Sequence, residues 1–156
     1  YDLSDVPPPA RWLGLAGLLP FAGLTLLAIA TPDAINEEAR TLLAAYGAAI
    51  LSFMGGCRWG FASAGLGEER LAPGAGRGRQ IWLRYIVAVA PALFVVPVMT
   101  VADPLRLILL ACGLVILYSG DGVLAREGGT PVWWLSLRLP LTIGASICLL
   151  LAAAFA

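Results

Sequence analysis

The sequence has no lysine and no histidine, and few charged residues of any kind. Of its 156 residues, 13% are charged and 60% are apolar, and the formal net charge is zero. Water-soluble domains carry about 25% charged and about 45–50% apolar residues. The missing histidine excludes the usual axial ligand of b-type haem and most zinc and copper sites. The balanced charge excludes the basic excess typical of nucleic-acid-binding proteins, so we expect no nucleic-acid partner.

Cysteine is also scarce, and the three residues of this type are Cys57, Cys112 and Cys148. Each lies within an apolar run, and no two form a CxxC pair, so neither a redox motif nor a zinc knuckle is indicated. The sequence also offers no catalytic triad, carboxylate dyad or cluster of metal ligands. We therefore predict no metal, no cofactor and no enzymatic activity.

The chain has long apolar runs instead, and its mean hydropathy is +0.86. A helix of about 20 apolar residues crosses the hydrocarbon core of a bilayer. Five runs have that length, and the second could extend backward as a helix to Asp33. The predicted spans are residues 12–29, 41–62, 81–100, 105–124 and 132–155. They predict an all-α, polytopic membrane helix bundle with five transmembrane helices, forming one integral-membrane domain over residues 1–156.

The arginines predict the orientation of this bundle. Eight lie on the side that holds the N-terminus, here called the arginine-rich side: Arg11, Arg58, Arg70, Arg77, Arg79, Arg84, Arg126 and Arg138. The arginine-poor side has Arg40 and Arg106. All five tryptophans also fall at the arginine-rich boundary: Trp12, Trp59, Trp82, Trp133 and Trp134. The positive-inside rule then places the N-terminus in the cytoplasm and the C-terminus in the periplasm of a bacterial inner membrane.

The first span has an alternative interpretation. Arg11, the following apolar run and Ala28-Ile29-Ala30 also fit a secretory signal peptide with an A-x-A cleavage site. The run is long for that purpose, so a retained span is the favoured interpretation.

The longest predicted loop, residues 65–79, contains the glycine-rich segment GAGRGR at residues 74–79. The spacing differs from that of phosphate-binding loops, and no Lys-Ser/Thr pair follows it. We predict a flexible basic loop close to anionic lipid headgroups.

The second span carries a stripe of small residues at helical spacing, from which we predict a helix-packing surface or a partner interface: Ala48, Ser52, Gly55, Gly56 and Gly60. Small residues let a neighbouring helix approach closely, which is how helices gain packing contacts in lipid. Phe53, on the opposite face, is expected to meet lipid or a loosely packed neighbour.

Charged residues inside the spans share one depth. Arg58 and Asp121 each lie about 17 residues, or about 26 Å, from the arginine-poor end of their helices. Arg84 begins the third span near the same level, and Arg138 lies less than two turns into the fifth span from the same side. A carboxylate at that depth needs a partner, and the surplus arginines could hold a lipid phosphate or another anion. The alternative is a structural ion pair, with the other arginines reaching the interface. Arg58 projects about 120° away from the small-residue stripe, which weakens the case for it as an interior residue.

The segment at residues 46–60, YGAAILSFMGGCRWG, resembles the signature of the DUF3429 family of bacterial membrane proteins, which is related to a small mitochondrial transmembrane protein of animals. Tyr85 with Pro91, Asp121, PVWW at 131–134 and LRLPLT at 137–142 are similar to its other marks. The resemblance covers the chain from Pro9 to the C-terminus. It implies a membrane fold and an energy-converting membrane, and it supplies no catalytic residue.

Two functions fit these observations. The first is a non-catalytic accessory or assembly subunit of a larger respiratory or photosynthetic inner-membrane complex, with other membrane subunits and lipids as partners. The second is a minimal transporter, or a protein that binds anionic lipid or solute through Arg58, Arg84, Asp121 and Arg138. Five spans do not divide into two equal repeats, which counts against an inverted-repeat transporter.

Overall fold

The computed structural model describes residues 2–31, 33–71 and 73–156, and of Asp33 and Ala75 it describes the backbone alone. These residues form six α-helices and two short 3-10 turns, and no strand occurs among them. The helices are α1 Pro8–Ala16, α2 Leu18–Ala30, α3 Asp33–Ser63, α4 Ala75–Val98, α5 Leu105–Arg126 and α6 Trp134–Ala154. The turns are Leu3–Asp5 and Glu68–Arg70.

Five segments of the described chain are long and apolar enough to span a membrane, because α1 and α2 together make the first span. The predicted all-helical bundle with five spans is therefore confirmed. The backward extension of the second span is also found, since α3 begins at Asp33.

The prediction of a loop over residues 65–79 is wrong at its C-terminal end. α4 begins at Ala75, so all of the glycine-rich segment after Gly74 is helical. Each glycine costs a helix only about 1 kcal/mol, which a long helix tolerates. Arg77, in the first turn of α4, also pairs with Glu68 at 3.1 Å.

The first span breaks at Gly17, between α1 and α2. Pro20 has no N–H, so it cannot continue the hydrogen-bond ladder to the carbonyl of Ala16. The hydroxyl of Tyr46 in α3 donates a hydrogen bond to the Gly17 carbonyl at 2.9 Å. This hydrogen bond joins the break between α1 and α2 to α3. It therefore fixes the point at which the first span contacts the second.

α2 belongs to the packed bundle. Phe21 and Ala28 are each 1% exposed, and the Thr25 hydroxyl donates to the Cys148 carbonyl of α6 at 3.2 Å. Cleavage after Ala30 would remove these residues from the core, so the structure favours the retained span over the signal peptide.

The core lies between α2, α3, α5 and α6. Its most buried large side chains are aliphatic or aromatic: Phe21, Leu43, Leu51, Leu107, Leu110, Leu114 and Leu149. Large apolar side chains also cover the outside of the bundle, and Trp82, Leu93 and Ile116 are 73%, 67% and 71% exposed. An outer surface of this kind suits hydrocarbon and would be unfavourable in water.

The small-residue stripe of α3 divides between two environments. A Cβ at Gly55 would lie 2.5 Å from the Ala88 carbonyl oxygen of α4, so the two backbones touch there. Ala48 is buried and Ser52 is half-buried. Gly56 and Gly60 are exposed, and no atom of the described residues lies within 4 Å of a Cβ at either position, so predicting them as packing residues within this chain was wrong.

The physical reason is rotation along the helix. Successive residues turn by about 100°, so Gly56 points away from the contact that Gly55 makes. A partner interface at Gly56 and Gly60 stays a prediction. Phe53 is 63% exposed, as expected for a residue that faces lipid.

The two loops on the arginine-rich side lock together. Gly67 has a φ of +73°, and a Cβ there would lie 2.6 Å from the Glu127 carbonyl oxygen. Gly128 also has a φ of +73°, and a Cβ there would lie 2.9 Å from Cζ of Arg70. Glycine adopts this left-handed backbone without a steric penalty. The loop after α3 therefore closes over the turn between α5 and α6.

Candidate functional site

Asp121 lies between two arginines inside the bundle. Its Oδ1 accepts a hydrogen bond from Nε of Arg58 at 2.7 Å, and its Oδ2 accepts one from Nε of Arg138 at 2.9 Å. The three residues, here called the triad, come from α3, α5 and α6. Asp121 is 1% exposed, Arg138 is 2% exposed and Arg58 is 5% exposed. The predicted pairing of Asp121 with both arginines is confirmed.

Arg58 is an interior residue, contrary to the inference from its angle to the small-residue stripe. Its Nη2 also donates to the Leu117 carbonyl at 2.6 Å. A Cβ at Gly120 would lie 2.6 Å from that same Nη2, so this glycine makes room for the guanidinium. The inference failed because α3 is enclosed on two sides: Gly55 of the stripe contacts α4, and the face with Arg58 contacts α5.

The triad has more positive than negative charge. Two guanidinium groups and one carboxylate leave one surplus positive charge in a buried place. Buried charges are costly unless they are paired and hydrogen-bonded. Nη2 of Arg138 is buried and has no hydrogen-bond partner among the described residues. The triad thus combines a surplus positive charge with an unsatisfied donor on Arg138.

Arg84, which was predicted to share this layer, lies apart from it. Its Nη1 donates to the Leu66 carbonyl at 2.6 Å, and its Nη2 lies 3.5 Å from Oε2 of Glu127. No ion pair joins Arg84 to Asp121 in the described structure. Arg84 was expected at the same depth as the triad, but it does not contact Asp121 because its position on α4 directs its side chain toward the loops. Arg84 ties those loops to the helices.

A cavity of about 630 Å³ opens beside the triad, between α3, α4 and α5. We call it the arginine cavity, because four of its lining residues are arginines: Arg58, Arg70, Arg84 and Arg126. Glu127 is the acidic residue that lines it. The cavity lies at the arginine-rich ends of α3, α4 and α5.

A second cavity of about 420 Å³ lies on the other side of the triad, between the first span, α3 and α6. We call it the apolar cavity, because most of its walls are aliphatic or aromatic. Arg138, Trp134 and Thr142 line it as well. Arg58 lines the first cavity, Arg138 lines the second and Asp121 lines neither. The triad is thus the wall between the two cavities.

Sequence reasoning missed Trp134 and Thr142 as parts of a site. Trp134 was assigned to an interfacial belt, yet its ring packs edge-on against that of Phe61, with the two ring centroids 4.9 Å apart. Thr142 lies one helical turn beyond Arg138, and residues four apart share a helix face. That spacing was the available signal for placing Thr142 beside the charged residue.

The three cysteines are free, and Cys57 lines the apolar cavity. Within the described ranges, no group of three or more histidine, cysteine, aspartate or glutamate residues could hold a metal ion. The chemistry that this arrangement offers is therefore hydrogen bonding and charge, supplied by guanidinium groups.

Comparison with known proteins places these features in a family. Residues 6–154 match the family model described as protein of unknown function, DUF3429. The chain is 34% identical over 145 residues to transmembrane protein 69 of Xenopus tropicalis, covering 90% of this chain and 52% of that protein. It is 31% identical over 147 residues to transmembrane protein 69 of Mus musculus, covering 93% of this chain and 55% of that protein.

The chain thus spans about half the length of the relatives it matches. No solved structure matches it. The segments that carry Arg58, Asp121 and Arg138 all fall within the range of the family model. The chain is a multi-pass membrane protein and belongs to the DUF3429 family.

Proposed function

We propose that this protein is a non-catalytic membrane protein that binds an anionic lipid headgroup in the arginine cavity. The observation that carries the proposal is the charge of that cavity, which has four lining arginines and one lining glutamate. Guanidinium groups bind phosphate through paired hydrogen bonds, and they are less strongly hydrated than the ammonium group of lysine. A chain with arginine as its sole basic residue suits such binding.

The depth of the cavity supports a lipid rather than a free solute. Arg58, which lines the cavity, lies five residues before the end of α3. Its triad partners lie at a similar depth, with Asp121 five residues before the end of α5 and Arg138 four residues after the start of α6. At 1.5 Å per residue, these positions are about 6–8 Å inside the helix ends. Leu83, Val87 and Val123 also line the cavity and can contact the first part of an acyl chain.

The arginine distribution supports a position in the cytoplasmic leaflet of a bacterial inner membrane, with the N-terminus inside. That leaflet has a negative surface potential, which attracts basic groups near the membrane. The matched relatives are animal proteins, so the bacterial membrane and the orientation belong to this proposal.

The test measures lipid binding by the purified full chain. Phosphatidylglycerol should raise the unfolding temperature in neutral detergent more than phosphatidylcholine does. Arg126→Gln, and separately Arg84→Gln, should weaken phosphatidylglycerol binding by about tenfold, because each loses a charged hydrogen-bond donor. Arg77→Gln is the matched control, since Arg77 pairs with Glu68 and does not line the cavity. Equal weakening by all three substitutions would show a general surface charge effect and would overturn the proposal.

The second candidate is an accessory or assembly subunit of a larger membrane complex. It is favoured by the outward position of Gly56 and Gly60, where a partner helix could approach the α3 backbone. Gly56→Leu with Gly60→Leu should leave the chain folded and remove a co-purifying membrane protein from a mild-detergent pull-down. Gly23→Leu is the matched control, because Gly23 is also exposed and a Cβ there would have no described atom within 4 Å. Unchanged co-purification with the double variant would reject this interface.

A further inference from the structure

Three buried donors around the apolar cavity find no acceptor among the described residues. They are Nη2 of Arg138, Nε1 of Trp134 and the hydroxyl Oγ1 of Thr142. The three residues are 2%, 6% and 5% exposed, and all of them line the cavity. A buried polar group without a hydrogen bond loses the hydration that it had in water without regaining a partner, so it is destabilising. A cluster of such donors on one wall is what a ligand with a hydrogen-bond acceptor requires.

The surplus positive charge of the triad favours an anionic ligand over a neutral one. Both carboxylate oxygens of Asp121 already accept hydrogen bonds from Nε of Arg58 and Nε of Arg138. The triad retains one surplus positive charge, and Arg138 is the triad arginine that lines the apolar cavity. A second carboxylate neutralises this charge and accepts two or more of the unused hydrogen bonds. A neutral alcohol accepts hydrogen bonds without neutralising the charge.

The shape of the cavity indicates a long aliphatic chain. Its lining extends along α6 from Trp134 to Ala145, which is about 16 Å at 1.5 Å per residue. Side chains such as Phe21, Ile50 and Leu114 supply its apolar walls. The volume of about 420 Å³ is within the range of about 300–1,000 Å³ found for small-molecule sites.

The entrance faces the bilayer. Leu13 of α1 and Phe53 of α3 both line the cavity, and they are 75% and 63% exposed on the outside of the bundle. A ligand dissolved in the membrane can enter between these two side chains without crossing water. Its polar end then meets Arg138 close to the arginine-rich boundary.

We propose that the apolar cavity binds a long-chain aliphatic carboxylate, a free fatty acid, taken up from the membrane. Its carboxylate lies on Arg138, with Trp134 and Thr142 as additional donors, and its chain lies along the apolar walls. This site is separate from the headgroup site of the arginine cavity, because the triad lies between the two.

The experiment measures binding of radiolabelled palmitate to the purified full chain in neutral detergent without anionic phospholipid, so its result is independent of the headgroup site. Unlabelled palmitate should displace the probe at least about tenfold more effectively than hexadecanol, which has the same chain and no charge. Thr142→Val keeps the shape of the side chain and should weaken palmitate binding about three- to tenfold, because one hydrogen bond is lost.

Ser146→Ala is the matched control. Ser146 lies one turn beyond Thr142 on α6, is 7% exposed and also has an unpartnered hydroxyl, but it does not line the cavity. Its substitution should leave palmitate binding unchanged. Arg138→Gln, where the variant folds, should abolish the preference for palmitate over hexadecanol. Absence of palmitate binding, equal competition by hexadecanol, or equal weakening by Thr142→Val and Ser146→Ala would each overturn the proposal.

Discussion

Asp121 is the residue on which the interior electrostatics depend. Its carboxylate is the acidic group that contacts Arg58 and Arg138, at 2.7 and 2.9 Å. Removing one partner from a buried ion pair leaves an uncompensated charge, which is strongly destabilising. Every substitution in the triad therefore changes stability through the charges that remain.

We predict that Asp121→Asn lowers the free energy of unfolding by about 3–5 kcal/mol, because two buried guanidinium groups lose their counter-charge. The shape of the side chain is kept, so a loss of packing does not explain the effect. The measurement is thermal or denaturant unfolding of the purified chain in detergent.

The double variant Asp121→Asn with Arg138→Gln should recover part of that loss, since it removes one of the unpaired charges. A double variant that is less stable than Asp121→Asn alone would show that hydrogen-bond geometry, rather than charge, dominates the triad.

At this scale the sequence predicted the pairing of Asp121, because equal depth in the membrane placed the three residues at one level. It did not predict that Arg84 would turn toward Leu66 and Glu127. Depth is set by position along a helix, whereas contact also depends on rotation and tilt, which arise from packing. The inward position of Arg58 was missed for the same reason.

Among the helices, α3 has two different contact surfaces. On one side it approaches α4 so closely that a Cβ at Gly55 would lie 3.2 Å from Cγ of Pro91 as well as 2.5 Å from the Ala88 carbonyl. On the other side it presents Arg58 to α5. A Cβ at the next residue, Gly56, would lie within 4 Å of no atom in the described part of the chain. Adjacent glycines on this helix should therefore respond differently to the same substitution.

We predict that Gly55→Ala destabilises the protein by about 1–3 kcal/mol, since the added methyl group overpacks the α3–α4 contact. Gly56→Ala should be neutral or stabilising by up to about 1 kcal/mol, because alanine loses less backbone entropy than glycine when it forms a helix. The same unfolding measurement compares both variants. If both substitutions lowered the free energy of unfolding equally, Gly56 would be packed against a neighbour and not exposed as the structure of this chain has it.

Helix number and approximate bounds could be predicted because apolar length is a direct physical requirement of a membrane span. The break at Gly17 and the early start of α4 at Ala75 could not be predicted in this way. The break depends on Pro20 together with the Tyr46 hydroxyl from another helix. The start of α4 depends on how the preceding loop packs against the α5–α6 turn.

The whole molecule has unequal ends. On the arginine-poor side, Arg40 and Arg106 both pair with Asp103, at 3.8 and 2.9 Å. The other end has eight arginines, both locked loops and the arginine cavity. This unequal distribution is the physical basis for an orientation by the positive-inside rule.

We predict that a reporter fused after Ala156 reads as periplasmic and that one inserted near Gly74 reads as cytoplasmic. Gly74 immediately precedes α4 on the arginine-rich side, whereas Ala156 follows α6 on the opposite side. Paired alkaline phosphatase and green fluorescent protein fusions in bacteria give the readout. A cytoplasmic result after Ala156 would reverse the orientation and place the arginine cavity on the outer face.

Because the triad lies between the two cavities, ligands bound in them compete for the same positive charge. Arg58 faces one cavity and Arg138 faces the other, and a single surplus charge serves both. An anion bound on one side would lower the electrostatic attraction on the other, so we expect the two proposed ligands to antagonise each other. Thermodynamic linkage makes this penalty equal in both directions. A bilayer enriched in anionic headgroups would then displace bound fatty acid from the protein. Abundant fatty acid would likewise weaken the protein's binding of those headgroups.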